Sequence, residues 1–154
     1  MTMRCMFRWT EALGVSVALL LLVGCGGGQS YQVAEVDGVL TINGQPAADV
    51  YVQFVPNVAG DVSPPSSAGQ TDAEGHFTLT VREKRGGSQP GAVVGPHRVV
   101  LRDLQLAKSA TAAGKTLRMS PDYALAGRTP LREEVKEGKQ TIDIDLPPYQ
   151  MHRR

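Results

Sequence analysis

Between Val33 and Leu146 the chain runs as short apolar alternations, each cut within a few residues by glycine, proline or Asn-Gly. Val50-Tyr51-Val52-Gln53-Phe54-Val55 is the clearest. Val50, Val52 and Phe54 share one side at period two, which suits an extended strand with one buried face. Pro56 ends it, since proline has no N–H to give to a ladder. Val36-Asp37-Gly38-Val39-Leu40-Thr41-Ile42 comes before it, rich in branched residues. Asn43-Gly44 follows that run and is the strongest short hairpin signal, because the tight hairpin turn needs positive φ at both central residues. Asp72-Ala73-Glu74-Gly75 reads as a second turn, capped by the Asp72 carboxylate and closed by Gly75 at positive φ. It leads into a strand with Phe77, Leu79 and Val81 on one face. A further strand runs from His97 to Leu104, another covers Leu131–Lys136, and a last one buries Ile142, Ile144 and Leu146 before Pro147-Pro148. Asn57–Ser67, Arg82–Gly95 and Ala107–Arg128 read as long loops. About seven short strands with turn signals between them and no helical period are the pattern of an antiparallel β-sandwich.

An address segment precedes this domain. Arg4 and Arg8 make its start positive, and Ala12–Val23 is apolar without a break. That run is too short for a helix crossing a ~30 Å hydrocarbon core, which takes about 20 residues. It has the length of the apolar region of an export signal. Leu22-Val23-Gly24-Cys25 then resembles the lipobox of bacterial lipoproteins. The resemblance implies a signal peptide over 1–24, a diacylglyceryl group on the Cys25 thiol, and Cys25 as the first mature residue. It also implies an extracytoplasmic, membrane-anchored protein. Gly26 in place of Asp points by the same resemblance to the periplasmic face of the outer membrane. The alternative is an ordinary secretory signal that happens to contain a cysteine. Residues 25–32, with Gly26-Gly27-Gly28, form a flexible tether.

Removing 24 residues from 154 leaves 130, the size of one domain. Taking Arg4, Arg8 and Glu11 from 16 Lys+Arg and 15 Asp+Glu leaves 14 of each, a net charge of zero. That balance offers no electrostatic case for nucleic acid. The cysteines are Cys5 and Cys25. One leaves with the signal and the other is the lipidation site, so the domain has no disulfide and no cysteine-based metal site.

Several segments together resemble one family. They are Val36–Pro46, Val50–Pro56, Thr71–Phe77, the strand entry from Gly91 to Leu101, and Leu131–Leu146 around Val135-Lys136-Glu137-Gly138. In order and spacing they resemble the carboxypeptidase-regulatory-like (transthyretin- or prealbumin-like) domain of small bacterial lipoproteins. The resemblance covers a domain over 33–148, followed by a tail over 149–154. It implies a seven-stranded Greek-key β-sandwich with no catalytic residues and no cofactor. One transthyretin-like branch hydrolyses 5-hydroxyisourate and ends in Tyr-Arg-Gly-Ser. Here Tyr149 is present and the Arg-Gly-Ser is not, so that activity does not transfer.

The polar residues support the same expectation. His76 reads as a solvated strand residue, His97 as a surface or rim residue, and His152 as part of the tail. No two have the spacing of metal ligands. Asp72 and Glu74 in one turn offer too few oxygens for calcium, which takes six to eight. Asp143 and Asp145 flank Ile144 on an outward face, about 7 Å apart at two strand rises. Ser66, Ser67, Ser88 and Ser120 fall in loops without the context of an activated nucleophile. The expected role is a non-enzymatic binding or structural module of the cell envelope, with envelope proteins, polysaccharide or peptide as partners and the long loops carrying recognition. Two alternatives stay open. One is an accessory subunit whose edge strands pair with a partner. The other is a small hydrolase using His97, Arg98 and Asp122.

Overall fold

The computed structural model describes residues 31–59, 63–82, 86–108 and 117–149. All belong to the second of two units into which the chain divides, Tyr31–Arg154. Cys25, the lipobox residues Leu22, Val23 and Gly24, the rest of the export signal, most of the tether and His152 lie outside the described residues.

In chain order the strands are β1 (Val33–Ala34), β2 (Val36–Ile42), β3 (Gln45–Pro46), β4 (Val50–Pro56), β5 (Ser67–Gln70), β6 (His76–Thr78), β7 (Thr80–Arg82), β8 (Ser88–Pro90), β9 (Ala92–Val93), β10 (Gly95–Asp103), β11 (Arg132–Val135), β12 (Gln140–Thr141) and β13 (Ile144–Leu146). A short helix, α1 (Leu104–Lys108), and a 3₁₀ turn, Pro121–Ala124, lie between β10 and β11. One sheet has the order β11-β10-β4-β5-β7-β8. The other is built around β2, with β12 and β13 on one edge and β3 and β6 on the other. β1 and β9 pair separately.

The period-two expectation holds most strictly in β4. Val50, Val52 and Phe54 have no exposed surface, and Tyr51, Gln53 and Val55 between them are half-buried. β10 lies antiparallel to β4 from His97↔Pro56 to Asp103↔Val50, which places Val99 and Leu101 beside Phe54 and Val52. Val36, Leu40, Phe77, Ile144 and Leu146 from the second sheet belong to the same apolar cluster. The fold is therefore an all-β sandwich with one shared core. Each fully buried Val, Leu or Phe in it contributes about 1.5–3 kcal/mol relative to exposure.

Several local expectations change. The sandwich is not wholly antiparallel, because β12 and β13 run parallel to β2, with Gln140↔Val36 and Ile144↔Leu40. Parallel neighbours need a crossover rather than a hairpin, and here the chain arrives from β11 in the opposite sheet. The alternation in that segment still sorts the side chains. Ile144 and Leu146 are buried, and Ile142 packs half-buried against the core. Asn43 and Gly44 both take positive φ, at 55° and 70°, as the hairpin requires. That hairpin ends after two residues of β3, and the chain then leaves for the other sheet.

The stretch from His76 to Arg82 is not one strand but two, because it changes sheets at Leu79. β6 pairs with β2, and β7 pairs with β5. The Leu79 N–H donates to Val36 O at 3.0 Å and its carbonyl accepts from Gly91 N at 2.6 Å, so the junction keeps its backbone hydrogen bonds. Two of the expected loops also contain strands. Ser67 opens β5, and β8 and β9 occupy part of Arg82–Gly95. The pairings of β8 with β7 and of β9 with β1 arise from non-local contacts that short polar segments do not advertise. The strand after His97 stops at Asp103, and Leu104 begins α1.

The Asp72–Gly75 turn forms as expected, although it links the two sheets instead of closing a hairpin within one. Asp72 Oδ1 accepts from Glu74 N at 3.1 Å and from His76 N at 2.8 Å, while Gly75 N donates to Asp72 O at 3.1 Å. Gly75 has φ +81°, and a Cβ there would lie 2.5 Å from Leu40 O. Asp72→Ala removes the acceptor of two backbone N–H groups and is expected to cost about 1–2 kcal/mol. Gly75→Ala combines a strained φ with a backbone clash and is expected to cost more. Urea unfolding of both variants checks this order; a smaller loss for Gly75→Ala would contradict the packing of the turn against β2.

Candidate functional site

The outward side chains of the six-stranded sheet follow from the ladder register. Arg102, Tyr51 and Gln70 stand in one row, and Val100, Gln53, Ala68, Thr80 and Pro90 in the next. Arg98 is opposite Val55 and Arg132, and Arg82 is opposite Ser88. Tyr51, Ser66, Gln70, Thr80, Arg82 and Ser88 line a shallow groove of about 560 Å³ on this face. Its amides are oriented by their neighbours. Gln53 Nε2 donates to Ser66 Oγ at 3.1 Å, and Gln70 Nε2 donates to Asp49 Oδ1 at 3.2 Å. A second groove of about 410 Å³ lies at the other sheet, where Glu35 and Asp37 face Lys139, Thr78 and Thr141.

Charge is sorted between the faces. The outer face of the β2 sheet presents Asp37, Asp143 and Asp145, and all three are engaged in building it. Asp143 Oδ1 accepts from Val39 N at 2.9 Å, Asp145 Oδ1 accepts from Thr41 Oγ1 and Gly44 N, and Asp37 Oδ2 accepts from Thr141 Oγ1 at 3.1 Å. The Asp143–Asp145 pair thus ties the β13 segment to β2. The six-stranded face presents Arg82, Arg98, Arg102 and Arg132 against Glu134. Arg98 donates to Asn57 Oδ1 at 3.1 Å and Ala126 O at 3.1 Å, and Arg132 donates to the Thr129 and Leu131 carbonyls. Among the described residues, Arg82 and Arg102 are exposed and make no hydrogen bond or ion pair.

At the end of β10, Asp103 and Arg118 form a two-pronged ion pair at 2.8 Å, and Arg118 also reaches Ala48 O. Burial pushes the Asp103 carboxyl up. The Arg118 hydrogen bonds and charge, with the Leu106 and Gln105 N–H groups, outweigh that and hold it below the usual range. The pair ties the segment beyond α1 back to the sheet.

His97 overturns its expected surface position: it is 1% exposed. The β10 register turns it inward, between Pro56 on β4 and Glu133 on β11. Its ring lies 5.8 Å from that of Phe54. Nδ1 donates to Gly95 O at 2.9 Å, since a carbonyl can only accept, and the buried Nε2 has no partner. Burial lowers the imidazole pKa, and the Gly95 hydrogen bond offsets this only in part. Burial raises that of the facing Glu133 carboxyl. Ser67 is likewise fully buried with Oγ unpartnered, and it stands opposite Phe54 and Val81. No hydrogen bond joins Ser67 and His97.

The His97, Arg98 and Asp122 set does not assemble. His97 points into the core and Arg98 outward, and Asp122 meets Arg128 at 3.8 Å on the 3₁₀ turn. Ser120 caps that turn through Asp122 N, and His76 is exposed as expected. Among the described residues, no group of three or more His, Cys, Asp or Glu side chains could hold a metal ion. The sequence reading considered only the long loops for recognition, and the polar sheet face is a further candidate surface. The available signals were the outward position of Tyr51 and the period-two spacing of Arg98 and Arg102.

The chain matches no protein-family model, no curated protein and no solved structure.

A neutral buried His97 makes stability depend on pH. Its folded pKa lies below the ordinary 6.5, so the unfolded chain binds the proton first and stability falls as pH drops below that value. The slope can reach about 1.4 kcal/mol per pH unit. Glu133 acts in the opposite sense, because its raised pKa favours the fold once it is protonated at lower pH. His97→Leu is expected to flatten the decline just below pH 6.5 in urea unfolding series; an unchanged decline would assign it to other groups.

Proposed function

We propose that this chain is a lipid-anchored, extracytoplasmic β-sandwich protein of the bacterial envelope that acts by binding and not by catalysis. Residues 1–24 are the export signal, Cys25 carries the acyl anchor, and 25–32 tether the domain that starts at β1. The observation that carries the reading is Leu22-Val23-Gly24-Cys25 behind a positive start and a short apolar run, a few residues ahead of the first strand at Val33. Two or more acyl chains hold a protein stably at a membrane, whereas one binds marginally. Among the described residues no helix is long and apolar enough to cross a bilayer.

The strand path supports a carboxypeptidase-regulatory-like architecture. Joined across their short interruptions, the segments make seven principal runs: 33–42, 50–56, 67–70, 76–82, 95–103, 132–135 and 140–146. The non-enzymatic reading rests on the polar groups themselves. Two buried side-chain atoms without partners, Ser67 Oγ and His97 Nε2, are sealed in the core, and the outward carboxylates Asp37, Asp143 and Asp145 hydrogen-bond across the β2 sheet. Pairing of an edge strand with a partner is less favoured, because β8 ends in Pro90 and β13 runs into Pro147-Pro148.

Cys25→Ser is expected to shift the protein from the membrane fraction to the soluble fraction, with loss of the acyl mass from the N-terminal peptide. Retention of the Ser variant on alkaline-washed membranes would overturn the anchor.

A further inference from the structure

We propose that the outer face of the six-stranded sheet binds an anionic polysaccharide. The proposal rests on the envelope-binding reading above and names its partner class. Among the described residues Arg82 and Arg102 are exposed and unpaired, Asp103 beside Arg102 is held by Arg118 at 2.8 Å, and the outward rows set Arg82, Arg98, Arg102 and Arg132 against Glu134. The face therefore carries uncompensated positive charge, and guanidinium forks match carboxylate and sulfate oxygens in geometry.

The spacing selects a polymer. Arg102 on β10 and Arg82 on β7 are separated by three inter-strand steps and about four residues along the strands, roughly 20 Å on ordinary sheet spacings. One small anion cannot meet both. Arg82 itself lines the groove of about 560 Å³, with a half-buried Tyr51, the Gln70 amide and Thr80, and Gln53 stands in the adjoining row of the same face. The two amides spend an N–H on Ser66 Oγ and Asp49 Oδ1, and this orients each side chain with its carbonyl oxygen available to accept from a sugar hydroxyl. An aromatic ring beside fixed amides and hydroxyls offers an amphipathic surface for a sugar ring, with little entropy lost on binding. A lipid headgroup layer would use the charge but not this groove.

The full chain, purified in detergent, is tested on immobilised polygalacturonate, dextran sulfate and neutral dextran at rising salt. Wild type is expected to be retained on both polyanions, to pass through neutral dextran, and to elute as salt screens the charge. Arg82→Gln with Arg102→Gln is expected to weaken retention about tenfold, with an unchanged urea midpoint because neither side chain has a partner. Tyr51→Ala is expected to weaken it at high salt as well as low, whereas Arg82→Lys with Arg102→Lys keeps much of it. Equal retention of the Gln variant and wild type, or no retention of wild type, would overturn the proposal. So would binding of the Cys25→Ser protein to phosphatidylglycerol vesicles without retention on either polyanion, which would assign the charge to a membrane surface. Failure of the anchor is read separately, from acyl mass and membrane fractionation of wild type. A non-acylated protein that is still retained on polyanion loses the anchor and keeps this surface.

Discussion

The ladder between β4 and β10 is the constraint on which the rest of the domain depends. It is the longest pairing in the fold, from His97↔Pro56 to Asp103↔Val50, and it lies in the interior of its sheet. Neither cysteine falls within the domain, so no cross-link limits the unfolded chain and the core alone must offset its entropy. Val50, Val52 and Phe54 on one strand and Val99 and Leu101 on the other supply the floor onto which the β2 sheet packs. A shift of one residue in this register would turn every one of those side chains to the outside and bring Tyr51, Gln53 and the β10 arginines inward. The same register that makes the core therefore makes the polar face.

Given that floor, the second sheet has a harder problem. β2, seven residues long, must accept partners along both edges from four separate segments. Parallel addition of β12 and β13 brings no turn to fix the register. Side-chain carboxylates do that work here: Asp143 and Asp145 each reach across to β2 or its hairpin, and Asp37 on β2 reaches back to Thr141. The acids of this face are architectural.

The longer alternating strands were legible because period two and turn chemistry are local, whereas β8 and β9 inside an expected loop were not. Val50–Phe54 alternates in sequence and in burial, Asn43-Gly44 has the positive φ values its residue types prefer, and Asp72 caps the turn it opens. Partnership was not legible. Nothing within His76–Arg82 announces that Leu79 hands the chain from one sheet to the other, and nothing in Ile142–Leu146 says that its neighbour runs parallel. His97 failed for a related reason. A histidine after proline at a strand start reads as rim, but its face is set by the register of β10 against β4 and β11, which places it at the level of Pro56 in the core. The resemblance of Leu22-Val23-Gly24-Cys25 to a lipobox is read without any structure, since it depends on a contiguous pattern.

Net charge shows the limit of whole-chain sums. Equal numbers of acids and bases in the mature chain argue against a polyanion partner only if the signs are mixed in space. The fold separates them. Acids on the β2 face keep their negative charge there, because their backbone and hydroxyl donors are neutral, and Asp103 is neutralised by Arg118. Bases on the opposite face are consumed only in part, through Asn57 and the Ala126, Thr129 and Leu131 carbonyls. Those acceptors are uncharged, so even the engaged arginines keep their full positive charge on that side. What an approaching polymer meets is the residue of these pairings and not the total: a sheet face with guanidinium groups set apart and a tyrosine groove lined by one of them. Selectivity for polysaccharide over any other polyanion then resides in the groove, because charge alone does not distinguish them.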